Sequence, residues 1–302
     1  MTEWVQATVL GVIQGLTEFL PISSSAHLRI FPELVGWDDP GAAFTAVIQI
    51  GTETAVILYF AKDIWRIVGA WTRSLFDQRA VWTSRHEEVL VGGGEVAAQG
   101  GGAHRRRHWD PHAARMGWYV IVGTLPIVAV GLALKDVIEN DFRSLWIIAT
   151  TLVVLGVILG VADRVGAKDR TLESLTLPHA LFLGLAQALA VVPGVSRSGA
   201  TISLGLFLGY DRAAAARFAF LLAIPAVLGA GLFEWPAALG EDSTYGLGPM
   251  LLATAVSFAV GYAVIAWLFR WLERRSYAPF VAYRIILGLL VFALLAAGTI
   301  NA

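Results

Sequence analysis

The sequence has no cysteine, and only 15% of its 302 residues are charged. The absence of cysteine excludes disulfides, thiolate nucleophiles and cysteine-ligated metals. The formal net charge of −1 excludes a bulk electrostatic attraction to nucleic acid, so we expect no nucleic-acid partner. A soluble domain carries roughly a quarter charged residues. The shortage of charge therefore indicates that much of this chain lies in a membrane.

The sequence instead contains long apolar runs. A helix needs about 20 apolar residues to cross a bilayer. Six runs approach that length: 44–60, 117–134, 145–162, 213–233, 249–269 and 281–300. We predict an all-α polytopic membrane protein with about six transmembrane helices, built as a single integral membrane domain over residues 1–302.

Basic residues predict how these helices are oriented, because loops rich in Lys and Arg stay in the cytoplasm. Three segments fit this description: 61–116, 163–176 and 270–275. The 234–248 loop carries only acidic charge and is expected outside. With these sides assigned, residues 1–40 approach from the outer face and residues 178–210 from the inner face.

Two segments, 4–37 and 178–210, each contain a proline between two short apolar arms, Pro21 in the first and Pro193 in the second. Proline ends a helix because it lacks an N–H and crowds the preceding turn. Neither segment can cross the membrane without violating the charge pattern. We therefore predict two re-entrant helical hairpins of opposite orientation, an inverted repeat whose tips meet inside the membrane. The alternative is a pair of ordinary spanning helices kinked at these prolines.

The residues that follow each proline are suited to bind an anion. Serines that can cap a new helix follow both prolines: Ser23, Ser24 and Ser25, then Ser196 and Ser198. Helix N-termini present free N–H groups and a partial positive charge. Arg197 adds a charged fork that matches phosphate oxygens, and Gly194 lets the backbone approach a ligand closely. A phosphate-sized anion between two helix starts is the simplest interpretation.

The first segment adds reactive groups. Glu18 lies four residues after Gln14, hence on the same helix face, where the pair can hold a divalent cation through oxygen atoms. His27 can accept a proton or attack phosphorus, and Ser24 can act as a nucleophile beside a base. The sequence leaves open which of the two attacks. It also leaves open whether Glu53, inside the first apolar run, assists Glu18 or bonds a neighbouring helix.

These residues resemble the signatures of the undecaprenyl-diphosphate phosphatase family, which is also known for bacitracin resistance. Its first signature is a Glu or Gln, three residues and a Glu, similar to Gln14 and Glu18, although many members have Glu where this chain has Gln14. The Pro-x-Ser-Ser-x-x-His stretch matches Pro21, Ser23, Ser24 and His27. The Pro-Gly-x-Ser-Arg-Ser-x-x-Thr signature matches Pro193, Gly194, Ser196, Arg197, Ser198 and Thr201.

The resemblance implies hydrolysis of undecaprenyl diphosphate to undecaprenyl phosphate and inorganic phosphate, which recycles the lipid carrier of cell-wall synthesis. It also implies a divalent cation, Mg2+ or Ca2+, and a multi-pass protein of the bacterial plasma membrane whose site opens to the outer face. The expected partners are the polyprenyl diphosphate substrate and membrane lipids, and a homodimer is left open.

We assign roles to the matching residues on this basis. The expected catalytic residues are Glu18, Ser24, His27 and Arg197. The expected substrate-binding residues are Ser23, Ser25, Gly194, Ser196, Ser198 and Thr201. Gln14 and Glu18 are expected to orient a metal ion or water. The alternative function is a transporter or flippase of a phosphorylated lipid or other anion. Glu18 with His27 favours hydrolysis, because transport needs only binding groups.

Overall fold

The structure is a computed structural model that describes residues 3–76, 110–139, 141–240 and 244–301. These residues form helices and contain no β-strand, which confirms the predicted all-α class. The helices are α1 (Glu3–Thr17), α2 (Ser24–Val35), α3 (Gly41–Tyr59), α4 (Ala61–Ser74), α5 (Pro111–Ala133), α6 (Lys135–Glu139), α7 (Leu145–Val165), α8 (Leu177–Ala188), α9 (Arg197–Phe207), α10 (Arg212–Ala238), α11 (Leu247–Leu272) and α12 (Ala278–Ala296).

Six of the described helices are long and apolar enough to cross a bilayer: α3, α5, α7, α10, α11 and α12. They coincide with the six predicted runs. Large apolar side chains on their outer surface are exposed, such as Leu232 at 69% and Ile286 at 66%. An apolar exterior of this extent is stable only when lipid covers it. The chain is therefore a multi-pass membrane protein, as predicted.

The predicted cytoplasmic segment 61–116 contains structure of its own. Helix α4 occupies its start, and α5 already begins at Pro111. Helix α4 packs against α5. Residues 77–109 of this segment lie outside the described part of the chain, and its cytoplasmic placement stays a prediction.

The two proline-containing segments each form two short helices with a break between them. Helices α1 and α2 have 15 and 12 residues, and α8 and α9 have 12 and 11. Each is shorter than the roughly 20 residues that a spanning helix needs. The arrangement is compatible with re-entrant hairpins, and the statement that these segments turn back within the membrane stays a prediction.

The two halves of the chain share a packing pattern. Helix α1 packs along α11, and its counterpart α8 packs along α5. The long helices that follow the broken segments, α3 and α10, pack against each other, as do α7 and α12. Exchanging the two halves leaves this set of contacts unchanged. Two structurally related repeats have this property, whereas their inverted orientation stays a prediction.

Glycines allow the closest helix contacts. A Cβ at Gly184 of α8 would lie 2.1 Å from the carbonyl oxygen of Gly123 in α5, so the two backbones touch. A Cβ at Gly51 of α3 would lie 2.1 Å from the carbonyl oxygen of Thr254 in α11. Small residues have this role in membrane proteins, where packing rather than the hydrophobic effect drives helix association.

We expect Gly184→Ala to destabilise the protein. The added methyl group has no room, and overpacking of this kind costs about 1–3 kcal/mol. The matched control is Gly131→Ala in α5, where an added Cβ meets nothing within 4 Å. Thermal unfolding in detergent should show a lower midpoint for Gly184→Ala and an unchanged or higher one for Gly131→Ala. Equal midpoints for the two variants would contradict the close contact.

Candidate active site

The two helix breaks lie against each other. We call residues 18–27 the first tip and residues 193–201 the second tip. The hydroxyl of Ser198 donates to the carbonyl of Leu20 at 3.5 Å, and the N–H of Gly194 donates to the hydroxyl of Ser25 at 3.5 Å. The polar side chains that the sequence singled out in separate segments therefore share one location.

Each tip begins its second helix in the same way. Ser23 caps α2 by accepting a hydrogen bond from the N–H of Ala26, and Ser196 caps α9 by accepting one from Gly199. Both serines have positive φ angles, 71° and 67°. Such angles are uncommon outside glycine and tend to occur at functional sites. The backbone thus turns sharply before each helix, and each helix begins within its tip.

Glu18 is the centre of the first tip. Its Oε2 accepts hydrogen bonds from the hydroxyl of Ser24 at 2.5 Å and from the Nε2 of Gln14 at 2.7 Å. Its Oε1 accepts one from the Nη2 of Arg197 at 2.5 Å. One buried carboxylate therefore connects Ser24, one of the two candidate nucleophiles, with the expected metal ligand Gln14 and with Arg197.

His27 has different partners. Its Nδ1 lies 2.7 Å from the carbonyl oxygen of Ser23, and its Nε2 lies 2.7 Å from the hydroxyl of Tyr283. A carbonyl oxygen only accepts, so Nδ1 carries the proton and Nε2 accepts from Tyr283. The hydroxyl of Ser24 donates to Glu18. The structure therefore pairs the hydroxyl of Ser24 with the carboxylate of Glu18.

The second tip has a polar but less reactive set of side chains. The hydroxyls of Ser196 and Ser198 lie 3.3 Å apart, and the hydroxyl of Thr201 is buried without a hydrogen-bond partner. Gly194 has a φ of 89°, and a Cβ there would lie 2.0 Å from the hydroxyl oxygen of Thr151, so only glycine fits. In the first tip, the hydroxyls of Ser23 and Ser25 are 3.1 Å apart. All the predicted substrate-binding residues therefore belong to the two tips.

Sequence reasoning missed Arg284 of α12, which holds both tips. Its guanidinium is fully buried and donates to the carbonyls of Pro21 at 3.0 Å, Gly194 at 2.8 Å and Val195 at 3.1 Å. It also donates to two carbonyls of α7, at Thr151 and Leu152. An arginine inside the apolar run 281–300 was itself a signal, because a charge at membrane depth is costly.

The oxygen atoms near Glu18 match the chemistry of a hard divalent cation. Magnesium and calcium prefer carboxylate and amide oxygens. The Oε1 of Gln14 and both carboxylate oxygens of Glu53 are buried and accept no hydrogen bond. The described residues contain no cluster of three or more His, Cys, Asp or Glu side chains arranged for a metal. A cation at this place would therefore be held by these few oxygens and by oxygens of the bound substrate.

Fold and site together define an integral membrane protein with a buried polar centre suited to an anionic substrate. The chain belongs to the family described as bacitracin resistance protein BacA, whose family model matches residues 7–290.

Curated relatives resemble the chain over its whole length. A protein of Nocardioides sp. named undecaprenyl-diphosphatase is 59% identical over 302 residues and covers 100% of both chains. A protein of Micrococcus luteus with the same name is 52% identical and covers 99% of both chains. A protein of Streptomyces coelicolor named undecaprenyl-diphosphatase 2 is 51% identical and covers 99% of this chain and 97% of its own.

We expect Arg284→Lys to destabilise the protein although it keeps the charge. A single ammonium group cannot reach carbonyls in both tips and in α7, and each buried polar group left unpaired costs about 1–3 kcal/mol. Arg270→Lys is the matched control, because Arg270 is exposed near the end of α11. Thermal unfolding in detergent should separate the two. An Arg284→Lys midpoint equal to that of Arg270→Lys would show that the tips do not depend on the guanidinium.

Proposed function

We propose that this protein is an undecaprenyl-diphosphatase, which hydrolyses undecaprenyl diphosphate to undecaprenyl phosphate and inorganic phosphate. The carrying observation is that Glu18 bonds both Ser24 and Arg197 where the two tips meet. This arrangement combines a nucleophile, a base and an anion-binding group. The names of the full-length relatives support the same reaction. The product would return to cell-wall synthesis as its lipid carrier.

Ser24 is the nucleophile in this proposal. A serine hydroxyl is activated when an adjacent base takes its proton, and the hydroxyl of Ser24 already donates to Glu18 at 2.5 Å. As the bond from Oγ to the terminal phosphorus forms, the bond from that phosphorus to the bridging oxygen breaks. The proton passes through Glu18 to the departing undecaprenyl phosphate.

A second step restores the enzyme. Water attacks the phosphoserine and gives its proton to Glu18 as the bond between phosphorus and the serine oxygen breaks. Glu18 then returns the proton to Ser24, and inorganic phosphate leaves. The two steps together consume one water for each diphosphate, as hydrolysis requires.

Arg197 and the second tip would bind the diphosphate. The guanidinium of Arg197 matches phosphate oxygens in shape and charge, and the starts of α2 and α9 add free N–H groups. The buried hydroxyl of Thr201 has no partner and can donate to a phosphate oxygen. Donors placed in advance around the phosphate stabilise the charge that develops in the transition state.

His27 is the alternative nucleophile that the sequence left open. Its Nε2 accepts from Tyr283, so an attack by His27 would first require that bond to break. The bond between Ser24 and Glu18 needs no such change. We therefore place His27 as a residue that fixes the start of α2 through its bond to the carbonyl of Ser23.

We propose Mg2+ or Ca2+ as the cofactor, with Gln14 and Glu18 as the residues of the first signature that face it. When bound, the cation would neutralise part of the diphosphate charge. The unpartnered amide oxygen of Gln14 supports an assignment near this residue. Both oxygens of Glu18 already accept hydrogen bonds.

We propose that the site opens to the outer face of the bacterial plasma membrane. The support is the charge pattern of the loops, which brings the first segment in from that side. A lipid substrate fits this position, because its polyprenyl tail stays in the bilayer while the diphosphate reaches the tips. A flippase would have no need of a serine paired with a carboxylate, so the geometry favours hydrolysis.

We expect Arg197→Ala to reduce hydrolysis about 100-fold or more, the usual effect of removing a transition-state donor. Release of inorganic phosphate from undecaprenyl diphosphate by purified protein in detergent would measure this. Arg66→Ala is the control, because the Arg66 side chain is 61% exposed and distant in sequence from both tips. Near-normal turnover of a folded Arg197→Ala protein would contradict the assignment.

We expect a phosphoenzyme intermediate on Ser24. Quenching a reaction of substrate labelled in the terminal phosphate with a denaturing detergent at neutral pH, where phosphoserine and phosphohistidine both survive, followed by peptide mass spectrometry, should place the label on Ser24. Ser24→Ala should lose both label and turnover, whereas Ser174→Ala, at an exposed turn, should keep both. Label on His27 would instead make the histidine the nucleophile.

A further inference from the structure

Glu53 is a buried carboxylate of the polar centre that belongs to neither proline-containing segment. It lies in α3, is fully buried, and neither of its carboxylate oxygens has a hydrogen-bond partner. Its Oε1 is 3.9 Å from the Nη1 of Arg197. The guanidinium of Arg197 therefore lies between two carboxylates, Glu18 on α1's side and Glu53 on α3.

Arg197 is shared unequally between these two carboxyl groups. Its guanidinium lies 2.5 Å from Glu18 and 3.9 Å from Glu53. Among the ion pairs of the described residues, Glu53 takes part in one, the 3.9 Å contact with Arg197. A carboxylate out of water without a close partner is strongly disfavoured. An ionised Glu53 would therefore need a further cationic partner close to its carboxylate.

The side-chain amide of Gln14 contacts α3 next to Glu53. Its Nε2 donates to Glu18 and, at 3.4 Å, to the hydroxyl of Thr52, the residue before Glu53. The Oε1 of Gln14 is left buried and without a hydrogen-bond partner. The contact with Thr52 brings the amide of Gln14 against α3 one residue from Glu53. Amide and carboxylate oxygens without hydrogen-bond partners are the kinds of ligand that a hard divalent cation prefers.

We propose that Glu53 is the second carboxylate of the catalytic centre and that it binds the divalent cation together with the amide oxygen of Gln14. The carboxylate that the first signature lacks at Gln14 is thus supplied from α3. The role of the cation in hydrolysis rests on the proposed function, whereas the binding itself does not. Two other roles make different predictions: a neutral acid in the core, and a group that only positions Arg197.

The test uses the full-length protein in detergent, with Mn2+ alone as the probe, because its binding can be followed by electron paramagnetic resonance. Glu53→Gln keeps the size of the side chain and removes its charge. We expect it to raise the Kd for Mn2+ about ten-fold or more, since losing even an indirect partner of a metal ligand costs about 10–100-fold. Glu234→Gln, which removes a carboxylate paired with Lys135, is the control and should bind as wild type does.

A charge-relocation variant makes the test independent of the folding of Glu53→Gln. Gln14→Glu combined with Glu53→Gln moves the carboxylate to the first signature and keeps the total charge. We expect this variant to recover Mn2+ binding and to lower the Mg2+ concentration needed for half-maximal hydrolysis back towards the wild-type value. A neutral acid or a positioning group at Glu53 would give no such recovery of metal binding.

The outcomes separate this proposal from the proposed function. Absence of Mn2+ binding by wild type, an unchanged Kd in Glu53→Gln, or a failed recovery in the relocation variant would each overturn the metal site. Metal binding that follows these expectations in a protein that releases no phosphate from undecaprenyl diphosphate would support the site and overturn the reaction. Hydrolysis of undecaprenyl diphosphate by a protein whose Kd for Mn2+ does not change in Glu53→Gln would support the reaction and overturn the metal site.

Discussion

The polar centre depends on the guanidinium of Arg284. A helix that breaks inside a membrane leaves carbonyls without partners, and the bilayer core has no water to replace them. Arg284 donates to carbonyls of both breaks, at Pro21 and at Gly194 and Val195, and anchors itself to α7. One side chain thereby stabilises two irregular segments and sets their distance from each other. The hydrogen bond that Arg197 donates to Glu18 joins the two tips, so it depends on the relation in which they are held.

Much of the fold could be predicted because hydropathy and proline act locally. Apolar runs of spanning length gave the six helices, and Pro21 and Pro193 gave the two breaks. The cluster of Glu18, Ser24 and Arg197 could also be anticipated from motif and charge. Arg284 could not, because its role depends on which face of α12 turns inward, and that is decided by packing across the whole bundle. The same holds for Glu53 on α3, whose direction the sequence left open.

The hydrogen-bond partners of the individual site residues could not be predicted from the sequence either. Ser24 and His27 lie on one helix, and their spacing in the sequence does not decide which residue each of them bonds. Only the position of Tyr283 on α12 explains why His27 turns away, and only the position of α1 explains why Ser24 meets Glu18. Helix α4 was hidden for a different reason: its charged residues suggested a loop, although they cover one side of a helix that packs on α5.

Tyr283 and Arg284 are consecutive residues of α12, and this adjacency has a mechanical meaning. The first contacts His27, the second contacts both breaks, and a regular helix does not let neighbouring residues move apart. Any slide or rotation of α12 is therefore transmitted to the histidine and to both tips at once. The histidine and the two tips therefore share one support, a single turn of α12.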